Sequence, residues 1–273
     1  MYFNFSLKIQ CRAFTLIAIN AWTMSPSGKE YNMKNRFLPL ILISLLATNN
    51  AFATSTSGVH GPTVDPDDKS FMYRLGYSPG EDDGPDRYAH RLHYQQAYNE
   101  SFRWRVISQF RDRGGDQSFE LDYIRAELLW HFRPKHNDNW DSGVRFDIRS
   151  RKGSRPELFS INWTNQWQLT PKWRLRGILI GGWNFGGTAV GGTNLETRSS
   201  LTYKLDNGHR VGVEMFNTFG RVSDMGTFND QDHAIGPVVS GKVGELSYQL
   251  GYLAGVSNGA SDHSFRFWLN KAF

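Results

Sequence analysis

The sequence predicts an all-β protein, a transmembrane antiparallel up-and-down β-barrel of about twelve strands. Segments of roughly ten residues that alternate between apolar and polar recur after residue 53, and clusters of Gly, Asn, Asp and Pro separate them. No apolar run of about 18 residues follows residue 53, so the mature chain holds no candidate transmembrane helix. The chain also ends on an aromatic strand with no polar tail, which is typical of a strand that faces lipid.

Residues 33–53 have the three parts of a secretory signal peptide. Lys34 and Arg36 form the basic end, Phe37 to Leu46 form the apolar run, and Ala51-Phe52-Ala53 has the small-x-small pattern of a cleavage site. The apolar run is too short to span a bilayer, because a spanning helix needs about 20 residues. We therefore predict that export removes this segment.

Residues 1–32 precede this signal and show no periodic pattern, so they are predicted to be an upstream extension or a mis-assigned start.

Cleavage after Ala53 removes five of the 31 basic residues and one of the 26 acidic residues, which leaves 26 basic against 25 acidic residues, a formal charge of +1. The basic whole-chain pI therefore gives no support for nucleic acid as a partner. Cys11 is removed as well, so no thiolate remains, and no cofactor or metal site is predicted.

Residues 54–68 are rich in Ser, Thr, Gly and Asp and are predicted to form a periplasmic N-terminal tail, followed by the barrel at 69–273. The segment 69–78 is the least regular strand, and the exact number, ten or twelve, stays open. The predicted strands are 69–78, 86–98, 102–112, 119–132, 140–150, 157–169, 173–184, 194–205, 209–220, 232–242, 245–256 and 263–273.

The connections between these strands alternate between mostly short turns and mostly longer loops. Asn207-Gly208 is a strong signal for a tight hairpin turn. The longer loops, among them 185–193 and 221–231, are rich in Gly, Asp and Ser. Short turns on one rim and longer loops on the other are typical of the periplasmic and extracellular rims of an outer-membrane barrel.

Alternation along the strands separates an apolar face from a polar one, and in a membrane barrel the polar face lines the lumen. The 119–132 segment changes phase between Tyr123 and Ile124, so we expect a bulge there. The predicted lumen carries twelve basic residues against five acidic ones (Glu120, Asp122, Glu127, Asp147 and Glu214). Its net positive charge would favour anions, or its Arg–Asp and Arg–Glu pairs would plug a small, closed barrel, and the sequence leaves both open. The basic residues are Arg103, Arg105, Arg111, Arg125, Arg145, Arg149, Arg174, Arg176, Arg198, Lys204, Arg210 and Arg266.

The last strand places four apolar residues on one face. Its ending resembles the C-terminal signal by which Gram-negative outer-membrane barrels are recognised for assembly, although Lys271 departs from that pattern. The resemblance implies location in the cell outer membrane, with the barrel-assembly machinery, outer-membrane lipid and lipopolysaccharide as partners. The residues predicted to form the signal are Phe265, Phe267, Leu269 and Phe273.

Two closer resemblances concern function. The length, the strand number and the inner-face residues Arg87, Arg91, Arg103 and Arg105 resemble small monomeric porins for acidic oligosaccharides, such as the oligogalacturonate porin family. That resemblance implies uptake of anionic sugars. The stretch from Gly212 to Pro237, continued by Gly251-Tyr252, Gly255 and Ser261-Asp262, is similar to outer-membrane barrels linked to the degradation of aromatic compounds.

The sequence favours a channel for passive passage of small, anionic solutes over two alternatives. One is a non-conducting barrel that acts in envelope structure or in surface interactions through its loops. The other is a hydrolase at the rim, with His233 near Asp230 and Asp232, or His263 near Ser264 and Asp262. Adjacent residues of a strand point to opposite faces, so Ser264 and His263 cannot form a nucleophile–base pair, and no enzyme is predicted.

Overall fold

Twelve antiparallel strands form a closed barrel in the computed structural model, which describes residues 56–80, 85–112, 119–132 and 139–273. The signal peptide and the upstream residues predicted from the sequence lie outside this range. Every predicted strand is present, and each boundary lies within one residue of its predicted position. The strands are β1 (Lys69–Ser78), β2 (Arg87–Ala97), β3 (Phe102–Asp112), β4 (Glu120–Phe132), β5 (Trp140–Arg151), β6 (Glu157–Gln168), β7 (Trp173–Phe185), β8 (Thr193–Lys204), β9 (Arg210–Arg221), β10 (Asp232–Val243), β11 (Leu246–Gly255) and β12 (His263–Ala272).

The barrel closes where β1 pairs with β12. Tyr73 lies opposite Leu269, and the backbone N–H of Phe273 donates to the carbonyl of Lys69 at 3.0 Å. Every other strand pairs with its neighbours in the chain, which is an up-and-down topology. We call the rim with the shorter connections and the first residue of β1 the turn end, and the opposite rim the loop end.

Apolar side chains cover the outside of the barrel, and polar side chains fill the inside. Trp104, Ile124 and Leu128 are among many large apolar residues that are exposed. The largest fully buried side chains include Arg74, Gln109 and others that are polar. A water-soluble barrel would bury its apolar face, so this arrangement is that of a transmembrane barrel. Among the described residues, no helix is long and apolar enough to cross a bilayer.

The bulge predicted in β4 is present. The β3–β4 register pairs Gln109 with Tyr123 and then Phe110 with Leu121, so Asp122 has no partner residue on β3. As a result Asp122 and Tyr123, although consecutive, are both buried. The bulge therefore turns an acidic and an aromatic side chain into the same part of the interior.

Residues 56–67, which we call the inner segment, lie inside the barrel, whereas the sequence analysis places them in a periplasmic tail. Thr56, Val59 and Val64 are buried, and the segment reaches strands on every side of the barrel. A tail outside the barrel could not touch all of these strands. Its partners are Arg74 on β1, Arg91 on β2, Gln109 on β3, Asp141 on β5, Thr164 on β6, Arg176 on β7, and Arg266 and Trp268 on β12.

Two small apolar clusters anchor this segment. Val59 packs with Ile178, Ile180, Phe216, Ala234 and Leu253, and Val64 packs with Ala97 and Leu129. These wall residues are among the apolar residues of the inner face, and each cluster receives one valine of the segment. Burial of a valine side chain contributes about 1.5–3 kcal/mol. The clusters therefore hold the segment at two heights of the barrel.

Candidate functional site: the interior of the barrel

The basic residues predicted to line the lumen lie on the buried face of their strands. Eleven of the twelve are buried or half-buried, and Lys204 is exposed at the last residue of β8. The alternation of strand side chains explains this, because Arg103 and Arg105, or Arg174 and Arg176, are two residues apart and share a face. What the sequence did not predict is which of these cations have a carboxylate partner.

Three of the arginines share two carboxylates at the centre of the β3–β5 wall. Glu127 accepts a hydrogen bond from Arg105 at 3.2 Å and forms ion pairs with Arg125 at 2.7 Å and Arg145 at 3.8 Å. Asp147 lies 3.6 Å from Arg145 and 4.0 Å from Arg125. The cross-strand register places Glu127 opposite both Arg105 and Asp147, so one buried carboxylate meets cations from three strands. This network neutralises most of its own charge.

Further arginines are paired individually. The partner carboxylates lie on the inner face of the strands or, for Asp68, directly before β1, and all but Glu196 belong to a different part of the chain from their arginine. They are Arg103 with Asp68 at 3.2 Å, Arg111 with Asp122 at 2.9 Å, Arg198 with Glu196 at 2.8 Å and Arg266 with Glu214 at 2.5 Å, and Arg155 also binds Asp122.

Four of the predicted arginines have no carboxylate within 4.0 Å among the described residues: Arg149, Arg174, Arg176 and Arg210. Arg149 lies over the ring of Tyr123, 4.6 Å from its centroid. Arg176 donates from Nε to the amide oxygen of Gln166 at 2.7 Å. The Nε atoms of Arg149 and Arg174 are buried without a hydrogen-bond partner in that part of the chain. Arg149 lies near the loop end, and Arg174 and Arg210 lie near the turn end, so unpaired cations occur toward both openings.

The inner segment uses backbone carbonyls to bind the wall. The carbonyl of Thr56 accepts from Arg74 at 3.1 Å and Arg91 at 3.3 Å. The carbonyls of Ser57, Val59 and His60 accept from Arg266 at 2.8 Å, Arg176 at 3.4 Å and Thr164 at 2.9 Å, respectively. The void that remains beside His60 is about 10 Å³, which is scarcely room for one water molecule.

His60 itself occupies the middle of the interior. Its ring stacks on Trp268 with centroids 5.4 Å apart, and Nε2 contacts the guanidinium of Arg74. Because arginine can only donate, Nε2 must accept and the imidazole must be neutral. The guanidinium of Arg74 also lies over the Trp268 ring, 3.9 Å from its centroid. The segment is thus bound by the stacking of His60 and Arg74 on Trp268 and by hydrogen bonds from wall side chains to its backbone carbonyls.

The residues considered for a rim hydrolase are not brought together. His233 is buried beneath Phe228, with centroids 4.5 Å apart, and its ring nitrogens contact the side-chain amides of Asn217 at 2.9 Å and Gln231 at 2.8 Å. Asp232 points to the opposite face of β10.

The other candidates of the rim have partners of their own. Asp230 accepts from the N–H and hydroxyl of Thr227, and these hydrogen bonds lower the pKa of its carboxyl group. His263 contacts the Tyr252 hydroxyl at 2.8 Å, whereas Ser264 bonds to Ser78 inside the barrel at 2.9 Å. Each of these groups is therefore engaged in a structural contact.

Sequence reasoning missed Arg74 as a residue of the interior. Arg74 belongs to β1, the least secure of the predicted strands, and Arg91 enters only through the resemblance to porins for acidic oligosaccharides. In the structure the two are directly opposite in the β1–β2 register, and both are almost completely buried. A regular alternation of Ser70, Met72, Arg74 and Gly76 on one face of β1 could have identified the first of them.

No protein-family model matches the chain, and no curated protein matches it. Solved structures match over most of its length. The fold is that of the KdgM and NanC porins. A structure of the KdgM porin in complex with disordered oligogalacturonate has a TM-score of 0.54 and 12% identity, covering 75% of this chain and 99% of that chain. A structure of the NanC porin has a TM-score of 0.56 and 13% identity, covering 74% of this chain and 100% of that chain. At this identity the similarity concerns the fold, and there it confirms the resemblance predicted from the sequence.

Proposed function

We propose that this protein is an outer-membrane channel for passive passage of small anionic solutes and that it has no catalytic role. The porin fold and the apolar outer face support a channel in the outer membrane. The observation that carries the anionic preference is a set of inward arginines with no carboxylate partner among the described residues, at Arg149, Arg174, Arg176 and Arg210. Arginine suits carboxylate and phosphate groups because its planar fork binds two oxygens at once.

The distribution of these cations fits solute passage. Arg149 near the loop end would attract an anion at one opening, and Arg174 and Arg210 near the turn end would attract it at the other. The paired arginines around Glu127 contribute little net field, since their charges are mostly compensated locally. The unpaired ones give the interior a positive potential, which raises the local concentration of anions and excludes cations.

Selectivity should therefore depend on the unpaired arginines and not on arginine content as such. In planar bilayers under a salt gradient, we expect the reversal potential of the wild-type channel to indicate anion preference. Replacing Arg149, Arg174 and Arg210 by serine together should move that potential toward zero. Arg221→Ser is the matched control, because Arg221 lies at the end of β9 and pairs with Asp224 of the adjoining loop. A triple variant that keeps the wild-type potential would contradict the proposed selectivity.

A second candidate function is a non-conducting barrel, and the inner segment is the observation that favours it. The segment fills the interior beside His60, where only about 10 Å³ remains. Protein that is folded and inserted, as judged by heat-modifiable migration in gels, and yet silent in bilayers would support this candidate and overturn the channel.

We also propose that the C-terminal residues bind the barrel-assembly machinery in the outer membrane. Phe273 is 63% exposed, and its side chain contributes little to the packing of the finished barrel. Phe273→Ser should therefore lower the yield of membrane-assembled protein several-fold while the assembled fraction keeps its unfolding temperature. Val243→Ser, another exposed apolar residue at the turn end of a strand, is the control. Equal losses for both variants would contradict a specific assembly signal.

A further inference from the structure

Arg74 and Arg91 form a buried pair of cations inside the barrel. They are directly opposite each other on β1 and β2, with 1% and 3% of their surface exposed. No carboxylate of the described residues lies within 4.0 Å of either guanidinium. Like charges directly opposite in a sheet repel each other, and burying a cation without an anion is costly. An arrangement of this kind favours an anionic ligand.

The present ligand of this pair is neutral. Both guanidiniums donate to one oxygen, the backbone carbonyl of Thr56. Arg91 donates in addition to the amide oxygen of Gln109 at 2.9 and 2.6 Å, and the same oxygen accepts from the Thr56 hydroxyl at 3.1 Å. A carboxylate would bring a negative charge to the two guanidiniums, which a neutral carbonyl does not, and arginine–carboxylate pairs are among the strong, often bidentate hydrogen-bonded pairs. A carboxylate would also offer one oxygen to each arginine.

We propose that the Arg74–Arg91 pair is a carboxylate-binding site and that the inner segment is its built-in competitor. A solute carboxylate would take the place of the Thr56 carbonyl, so binding of the solute and seating of the segment exclude each other. The inference rests on the proposed function in one respect, since the solute must enter the interior. Beyond that function, we infer that a carboxylate solute releases the inner segment when it binds, and that this release opens the barrel interior to passage.

The site has walls suited to such a solute. Trp268 provides an aromatic face on which Arg74 already lies, and Gln109 and Tyr123 add an amide and a hydroxyl beside Arg91. Aromatic faces and polar hydrogen-bonding groups together suit a small, hydroxylated carboxylate. A sugar acid has this chemistry, and glucuronate with glucose as its uncharged counterpart makes a matched pair of probes.

The test measures release of the segment and does not require conduction. The reporter is Val59→Cys in the full chain with Cys11→Ser, because Val59 is 3% exposed when the segment is seated. We expect glucuronate at about ten times its dissociation constant to raise the rate of maleimide labelling about tenfold, since the released fraction follows the bound fraction. Glucose should leave the rate unchanged. Val190→Cys, in an exposed loop, should react equally fast under all conditions.

Two further variants define the site. With Val59→Cys, the double replacement Arg74→Gln and Arg91→Gln should abolish the effect of glucuronate on labelling. The single replacement Arg91→Gln serves the same purpose should the double variant fail to fold. A labelling rate that glucuronate does not change in the wild-type background, or that it still changes without these arginines, would overturn the inference. Bilayer recordings distinguish this inference from the proposed channel function. Conduction without a labelling response to glucuronate would overturn only the competition between solute and segment. A labelling response without conduction would overturn only the channel function.

Discussion

Replacing Glu127 by glutamine is expected to lower the free energy of unfolding by about 3–5 kcal/mol. Glu127 is the shared partner of Arg105, Arg125 and Arg145, which approach it from three neighbouring strands. Glutamine keeps the size of the side chain and removes its charge, so Arg125 and Arg145 keep only Asp147, and Arg105 has no carboxylate within 4.0 Å among the described residues. Denaturant unfolding of the detergent-solubilised barrel, followed by tryptophan fluorescence, measures the loss.

The control for this variant is an ion pair of the same type outside the barrel. Asp206→Asn removes the partner of Lys172, and the Asp206 side chain is 90% exposed, so we expect a change within about 0.5 kcal/mol. Adding Arg105→Gln to Glu127→Gln should recover part of the stability, because the cation that lost its carboxylate is removed. If the Glu127 and Asp206 variants had equal effects, the inner network would not stabilise the barrel.

The strands could be predicted closely because their signals are local. Alternation of apolar and polar residues has a period of two, and turn residues such as Asn207-Gly208 mark the ends. The inner and outer faces followed from the same pattern, once a membrane barrel was inferred. Even the bulge at Asp122 and Tyr123 could be located within a residue or two, since it interrupts the alternation.

The pairing inside the barrel could not be predicted, because it depends on register between strands. Whether Arg149 or Arg105 contacts a carboxylate depends on which residue lies opposite it on the neighbouring strand. That register cannot be read from the sequence alone. Arg105 faces Glu127, whereas Arg149 faces Arg125 and Leu158. The sequence therefore predicted a set of inward cations, and only the structure separates those that are compensated from those that are free to act on a solute.

The position of the inner segment was missed for a different physical reason. Its Ser, Thr, Gly and Asp residues give it the composition of a solvated tail, and its binding relies on the carbonyls of Thr56, Val59 and His60. Every residue has a carbonyl, so composition carries no signal of such contacts. The two valines that anchor the segment, Val59 and Val64, are too few to produce a periodic pattern.

Replacing Gly58 by leucine is expected to expel the inner segment and raise conductance. A Cβ atom at Gly58 would lie 1.8 Å from the Trp268 ring, far inside any allowed contact. Trp268 cannot easily move aside, because it is 6% exposed and contacts both His60 and Arg74. The void beside His60 is too small to take up a displaced leucine or indole side chain. The clash is therefore relieved when the inner segment leaves the interior. We expect the open probability in planar bilayers to rise at least about tenfold, which corresponds to roughly 1.4 kcal/mol against the seated state.

Gly191→Leu is the matched control, because a Cβ atom there meets nothing within 4 Å. Its conductance should equal that of the wild type. The decisive comparison is the double variant Gly58→Leu with Trp268→Ala. Removing the indole makes room for leucine, so the segment can return and the open probability should fall back toward the wild-type value. If Gly58→Leu left conductance unchanged in folded protein, the segment would not control passage. Because Trp268 also contacts His60 of the segment, the double variant is compared with Trp268→Ala alone. A double variant that opened more often than Trp268→Ala alone would show that the clash between these two residues is not the cause.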